Sequence, residues 1–305
     1  MNRRKFVTTA LGAAAASSAA SSKLQLSIFT KHLQFLKGDA LADAIAAMGF
    51  DGADVALRKG GNIEPARARE EFPKLVKALV SRGIAVPMIT GDIVDADSAH
   101  AETVLGVLQD LGIRYYRWGG FRYDYTKPLA AQIEAAKPRV AKLAELNRKH
   151  SVCAIYHTHS GPGQLGASIW DLHELLRGLD PALVGINYDV GHATVEGGFG
   201  GWINSFHIAG DHLRGIALKD FVWTRTKAGA RPQWCPVGEG MVNFAEFFAM
   251  VARRGFNGPV QVHYEYPLGG AENGKTEIAI PKEQVFAAMK KDLATLRGAM
   301  QQAGI

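Results

Sequence analysis

The chain has 305 residues, 47% of them hydrophobic, which can bury one large core or two modest ones; a single barrel-sized domain accounts for the length. Its formal net charge of +6 falls to +3 once Arg3, Arg4 and Lys5 are set aside with an N-terminal leader. The remaining basic residues are mixed with acids, as in PARAREEFPKLVK (65–77), so a surface that tracks nucleic acid is excluded. Only two cysteines occur, Cys153 in an apolar strand-like run and Cys235 in what reads as a long loop. Two separate thiols are expected rather than a disulfide framework.

At the N-terminus, NRRKF is followed by VTTALGAAAASSAA: a basic start, a short apolar stretch and small residues near Ala20. This is the pattern of an export signal over residues 1–20. Arg3 and Arg4 with Phe6 resemble a twin-arginine signal, an ordinary secretory peptide being the alternative. A periplasmic or otherwise exported protein is expected. No later apolar run reaches the roughly 18–20 residues that a membrane span needs, so no membrane partner is expected after signal removal.

From residue 24 onward eight β-rich runs follow in order: LQLSIFT, GADVALR, IAVPMIT, IRYYRWG, VCAIYHT, VGINYDV, LRGIALK and PVQVHYE. Between them apolar residues recur every three to four places, as in Ile169, Leu172, Leu176 and Leu179, or Val285, Met289, Leu293, Leu296 and Met300, which predicts a helix after each strand. Gly49, Gly83, Gly112 and Gly255 stand where those helices should end on a left-handed residue. GFDGADV (49–55) and GFNGPVQV (255–262) repeat one helix-to-strand turn. Eight βα units predict a single-domain (β/α)8 TIM barrel over 24–305, with an open doubly wound sheet as the competing α/β fold. FTKHLQFLKGD after the first run carries no glycine-rich phosphate fingerprint, which counts against a dinucleotide fold.

In such a barrel, chemistry gathers at the carboxyl ends of the strands, and alternation decides which side chains face the axis. One face collects Asp54 and Arg58, Tyr115 and Arg117, His157 and His159, Asn187 and Asp189, Ala217 and Lys219, and Gln261, His263 and Glu265. The other face is apolar, with Val55, Tyr156, Ile186, Tyr188, Ile216, Leu218, Val262 and Tyr264. Polar groups at one height on six of the eight runs need partners or a metal once buried.

These stretches resemble the sugar phosphate isomerase/epimerase family with the xylose isomerase-like TIM barrel, from about residue 24 to the C-terminus. The resemblance rests on GFDGADV, YHTH after the fifth run, DVGH after the sixth, LKD after the seventh, VGEGMVNF, and GFNGPVQVHYEY at the eighth. It implies one divalent cation, held by a Glu on the fifth strand, an Asp on the sixth, a His on the seventh and a Glu on the eighth. It also implies isomerisation or epimerisation of a sugar through an enediolate-type intermediate. Only the Asp stands unchanged, as Asp189; the other positions read His157, Ala217 and His263. His157, Asp189 and His263 then form a two-imidazole, one-carboxylate set suited to Mn, Fe, Co or Zn, with Glu265 as a fourth ligand or a supporting acceptor.

The acid–base candidates are Lys219, Glu265 and His192, the last able to bind a substrate hydroxyl or relay a proton. A salt bridge from Lys219 to Asp189 or Asp220 is the alternative for that residue. Arg58, Arg117, Trp118, His159 and Trp223 are the candidate substrate contacts, with Tyr123, Trp202 and Trp234 near them in expected strand-end loops. Arg58 and Arg117 would clamp an anion or simply neutralise Asp54 and Asp189. Trp170 is expected in core or in an oligomer contact, and Glu196 at a rim. The expected substrate is a small carbohydrate, with a free sugar, a keto-sugar or a glycoside derivative preferred over a phosphate; a homo-oligomer is compatible with the sequence. The alternatives are a carbohydrate lyase of the same fold and a non-catalytic sugar-binding barrel. A phosphodiester-cleaving barrel is disfavoured by the modest charge.

Overall fold

The computed structural model describes residues 24–305; the export signal expected over 1–20 lies outside the described residues. All eight β-rich runs form barrel strands: β1 (Leu26–Phe29), β2 (Gly52–Ala56), β3 (Ala85–Thr90), β4 (Tyr115–Trp118), β5 (Cys153–His157), β6 (Val184–Asp189), β7 (Leu213–Leu218) and, after an inserted hairpin, β10 (Val260–Val262). Every neighbouring pair is parallel, and β1 closes the barrel on β10. The hairpin, β8 (Asp220–Thr226) and β9 (Gly229–Cys235), pairs antiparallel outside the barrel sheet. Cys235 therefore ends a strand and is not part of a long loop.

The outer layer is formed by α1 (Gly38–Met48), α2 (Ala68–Val80), α3 (Ala101–Asp110), α4 (Leu129–His150), α5 (Ile169–Leu176), α6 (Val190–Gly197), α7 (Gly201–Ala209), α8 (Phe244–Arg254) and α9 (Lys282–Gln302). Nine α-helices among the described residues exceed the eight expected because two, α6 and α7, follow β6. Gly49 and Gly255 adopt the left-handed conformation as the caps of α1 and α8, and each caps through its own N–H, as the punctuation predicted. No helix among the described residues is long and apolar enough to cross a membrane.

Alternation sorts the barrel into two environments. The apolar side of each strand joins the helices in the main core, whereas Met88, Cys153 and Ile155 form a separate small cluster with Tyr115. Cys153 and Ile155 precede His157 on the same face of β5, so the barrel interior is apolar below and polar toward the carboxyl ends. Between these layers, Asn187 and Gln261 exchange amide hydrogen bonds of 2.9 and 3.1 Å. The space for them comes from Gly215, where a Cβ would stand 2.7 Å from Asn187 Oδ1 and 2.6 Å from Ile155 Cδ1.

Outside the barrel, buried Asn147 on α4 accepts from Tyr116 Oη (2.7 Å) and donates to Leu183 O (2.9 Å), tying that helix to β4 and to the approach to β6. Asn147→Leu would strand a buried hydroxyl and a carbonyl, at a cost of about 2–4 kcal/mol. Urea denaturation should show a lower midpoint at an unchanged slope.

Candidate active site at the barrel mouth

The DVGH stretch is one structural unit. Asp189 ends β6 and caps α6, its Oδ1 accepting the His192 amide at 2.9 Å. Its own amide donates to Thr158 Oγ1 (3.0 Å), fixing β6 to the end of β5. Gly191 lets the chain pass close to Lys219, since a Cβ there would lie 2.8 Å from Lys219 Cγ and from its carbonyl oxygen. The second oxygen, Asp189 Oδ2, lies 3.3 Å from Lys219 Nζ and 3.5 Å from His157 Nε2.

Lys219, only 2% exposed, is the hub. Its ammonium nitrogen also reaches Glu265 Oε2 at 3.1 Å and His192 Nε2 at 2.7 Å, and sits 4.2 Å from the ring centre of Trp234. The bridge to Asp189 expected from sequence is present, joined by one to Glu265. Asp220 takes no part in it. Its carboxylate points the other way and accepts the backbone amides of Phe221 (2.9 Å) and of Gly238, Gly240 and Val242 (3.0 Å each). The LKD and VGEGMVNF motifs are therefore a carboxylate and the loop folded round it. That loop follows β9 and helps hold the hairpin that brings Trp234 edge-on to His192, with ring centres 4.8 Å apart.

His192 is fixed at both nitrogens. The Ser160 amide donates to Nδ1 (3.1 Å), with Ser160 Oγ at 2.8 Å. A neutral ring accepting at Nδ1 carries its hydrogen on Nε2, so the 2.7 Å contact with Lys219 is a hydrogen bond only when the lysine nitrogen is an unprotonated amine that accepts it. His157 meets the Asn187 amide at Nδ1 (3.0 Å) and stacks parallel to His263 at 5.0 Å. Burial holds His157 and His192 well below the ordinary imidazole pKa, with Arg117 and Lys219 respectively adding to the effect. It also brings His263 down to about 4. Burial lifts Asp189 to about 6 against the pull of Lys219. Glu265 is pushed up by burial, but Lys219 and His263 outweigh that and hold it well below the usual carboxylate range.

Ligand atoms of His157, Asp189 and His263 lie within 4.8 Å of one another, and those of His157, His159 and His192 form a second such group. Asp189 Oδ2 and His263 Nε2 are buried with no hydrogen-bond partner among the described residues. A carboxylate oxygen whose charged neighbour is Lys219, 3.3 Å away, and an unpartnered imidazole nitrogen beside a second imidazole are donor types that suit a borderline divalent cation. His157 Nδ1 accepts from the Asn187 amide, so a neutral ring carries its hydrogen on Nε2, toward Asp189 Oδ2, and would have to release it to ligate a cation there.

Other expected contacts are placed differently. Arg117 donates to His159 Nε2 at 3.3 Å, and the His159 ring lies 4.7 Å from that of His157. Arg58 lies over Phe29 at 5.4 Å, and Phe29 packs on His263. Neither guanidinium pairs with Asp54 or Asp189. Trp118 is a correction: it lies on the opposite face of β4 from Arg117, 2% exposed, edge-on to Phe121 and Tyr156 in the helix-facing core. Trp202 is likewise buried in α7 rather than in a loop. Trp223 stands 44% exposed on the hairpin, its contact being Phe221, and Trp234 is the indole at the cluster. Trp170 is exposed on α5, not core. Glu196 accepts the Gly161 amide (2.7 Å), a rim position. Lys31, just past β1, was missed because the run ends at Thr30 and a 3-10 turn begins.

His32, in that turn, is fully buried; its Nε2 accepts the Tyr264 amide (3.1 Å) and its Nδ1 faces Ala271 O (3.3 Å). It thereby positions the chain between His263 and Glu265. Burial, and then Lys31, hold its pKa well below 6.5, so the native state keeps it neutral while the unfolded chain protonates. Its contribution to stability is full above pH 6.5 and is lost as pH falls below that value, by up to about 1.4 kcal/mol per pH unit. His32→Gln can keep both bonds without titrating. Denaturant midpoints between pH 6.5 and 4.5 should fall less steeply in this variant than in the parent.

Comparison with known proteins agrees with the architecture. Inosose dehydratase of Bacillus licheniformis is 26% identical over 159 residues, covering 48% of this chain and 49% of that protein, so the chain spans about half the length of this curated relative. The structure of 3-keto-D-glucoside 4-epimerase from E. coli superposes with a TM-score of 0.66 at 16% identity, over 90% of this chain and all of the other. That of D-psicose 3-epimerase with D-tagatose from Clostridium cellulolyticum H10 gives 0.63 at 14% identity, over 91% and 99%. At such identities these structures establish a shared fold. The family model of the xylose isomerase-like TIM barrel matches residues 42–288, and the chain belongs to that family.

Proposed function

We propose that the protein is a metal-dependent isomerase or epimerase of a sugar or keto-sugar derivative, acting by removal of a proton beside a carbonyl. The observation that carries this reading is the convergence of Lys219 with Asp189, Glu265 and His192 next to the unpartnered His263 Nε2. His157, Asp189 and His263 would hold the cation. When bound, it supplies polarisation of a carbonyl or hydroxyl oxygen and stabilises the negative charge of an enediolate.

The chain's own groups supply the proton transfers. Lys219 is the base or acid at the substrate carbon, and His192 is its relay, across a 2.7 Å N···N contact backed by Ser160. Glu265 is the second proton-carrying group, kept ionised by Lys219, so the two faces of a planar intermediate can be served by different residues. Trp234 lies over Lys219, with its ring centre 4.2 Å from the ammonium nitrogen. A lyase is the second reading, favoured by the dehydratase relative: the same first step, followed by loss of a neighbouring hydroxyl.

Each of these reactions removes a carbon-bound proton, and a Lys219–His192 relay lets that proton equilibrate with solvent, so a panel of aldoses, ketoses and 3-keto-glycosides incubated in D2O and followed by proton NMR tests the proposal without prejudging the product. Lys219→Met should lower exchange by about 10²–10⁴-fold and retain added Mn or Co. Asp189→Asn keeps a capping oxygen for α6, and should lose both exchange and the rise in thermal stability that Mn or Co gives the parent. Undiminished exchange in Asp189→Asn would remove the assignment.

A further inference from the structure

Three cations at the mouth have no carboxylate partner. Among the described residues, Lys31, Arg58 and Arg117 form no ion pair within 4.0 Å, although Asp189 and Glu265 stand nearby and both engage Lys219. On their own side, Asp54 has one oxygen bonded to Thr90 Oγ1 (2.8 Å) and the other unpartnered. Burial lifts its carboxyl to about 7, against the pull of Thr90, Arg117 and Arg58.

Strand register brings the three to one height at neighbouring strand ends: Ala56, two residues before Arg58, pairs with Thr90, Thr90 pairs with Arg117, and Phe29, two residues before Lys31, pairs with Asp54. Burial pulls the Lys31 ammonium below its ordinary pKa; Glu265 opposes this, while Arg58, Lys219 and Arg117 reinforce it. Arg117 is shifted down by burial and then by Arg58. Their polar contacts are few: Arg117 has His159, and Arg58 has the face of Phe29. Half-buried cations without an acidic partner raise the local positive potential, which an anionic ligand would offset.

Resting on the reading of this mouth as a carbohydrate site, we infer that the substrate is an anionic sugar whose carboxylate or phosphate is held by Arg58, Arg117 and Lys31. These groups belong to the strand ends of β1, β2 and β4, whereas Lys219, Glu265 and Asp189 belong to those of β6, β7 and β10. The anionic end is thus fixed on one side of the mouth, and the reacting carbons fall on the other. A guanidinium pair suits a planar or tetrahedral oxyanion, and His159 between Arg117 and His157 joins the two halves.

Isothermal titration of the metal-free protein with D-glucuronate, D-glucose 6-phosphate and D-glucose tests this directly. At least one anion should bind about tenfold or more tighter than glucose, with the gap shrinking as salt is raised. Preference between the two anions assigns carboxylate or phosphate. Arg58→Gln and Arg117→Gln, each checked for an unchanged melting temperature, should bring the anion toward the affinity of glucose, and Arg117→Lys should recover part of the loss. Glucose binding as tightly as both anions, or neither anion binding, overturns the inference. Because binding is read without turnover, absence of proton exchange on every sugar would sink the catalytic reading and leave this result standing.

Discussion

Asp189 ends a strand and starts a helix with the same carboxylate, and its two oxygens are committed to different tasks. Oδ1 closes the first turn of α6, so Oδ2 alone is left to face the mouth, without a hydrogen bond and fully buried. Burying that charge is unfavourable, which is why its pKa rises even beside a lysine. The surroundings are arranged to offset the cost: Lys219 within ion-pair range, His157 next to it, and Gly191 leaving room for the lysine to approach. Remove the carboxylate and Lys219, His157 and the start of α6 lose a common reference point.

The adjacent pair Lys219–Asp220 shows how one turn of backbone serves both structure and chemistry. Lys219 enters the mouth; Asp220 is swallowed by four backbone amides on the other side. An acid so satisfied draws nothing from its neighbour, which remains available to Asp189, Glu265 and His192. The hairpin that starts at Asp220 returns Trp234 onto the lysine. A cation under an indole and away from bulk water feels its carboxylates more strongly than it would in solvent.

The barrel itself was legible because its strands are buried on both faces and its helices end on glycine, signals that period and punctuation carry directly. The site was legible by parity: the residues read onto one face of β5, β6 and β10 do meet. Trp118 shows the same rule neglected, since alternation from Arg117 already turns it toward the helices. The hairpin was missed because FVWTRT and ARPQWC mix charge with aromatics on solvated strands and lack the apolar run used to mark the barrel; the Lys227-Ala228-Gly229 turn between them was the available signal. That Trp234 and not Trp223 meets Lys219 follows from hairpin register, and a linear sequence does not display which of two strands lies inward.

Charge explains how the mouth works with imidazoles at positions where the family resemblance implied glutamates. At neutral pH the burial of His157 and His263 keeps both uncharged, so each replacement removes a negative charge from the mouth. Asp189 and Glu265 are left as the acids around Lys219, and both lie within ion-pair range of it. The opposite side, with Lys31, Arg58 and Arg117, is then uncompensated, and a cation at His157, Asp189 and His263 would add to the imbalance. A mouth with the three carboxylates of that pattern would attract a cation first and a substrate through it; on the anionic-sugar reading, the half with Lys31, Arg58 and Arg117 attracts the substrate directly. Field lines from the wet rim converge on the half that carries the arginines, which orients an anionic molecule before any contact with Lys219 is made.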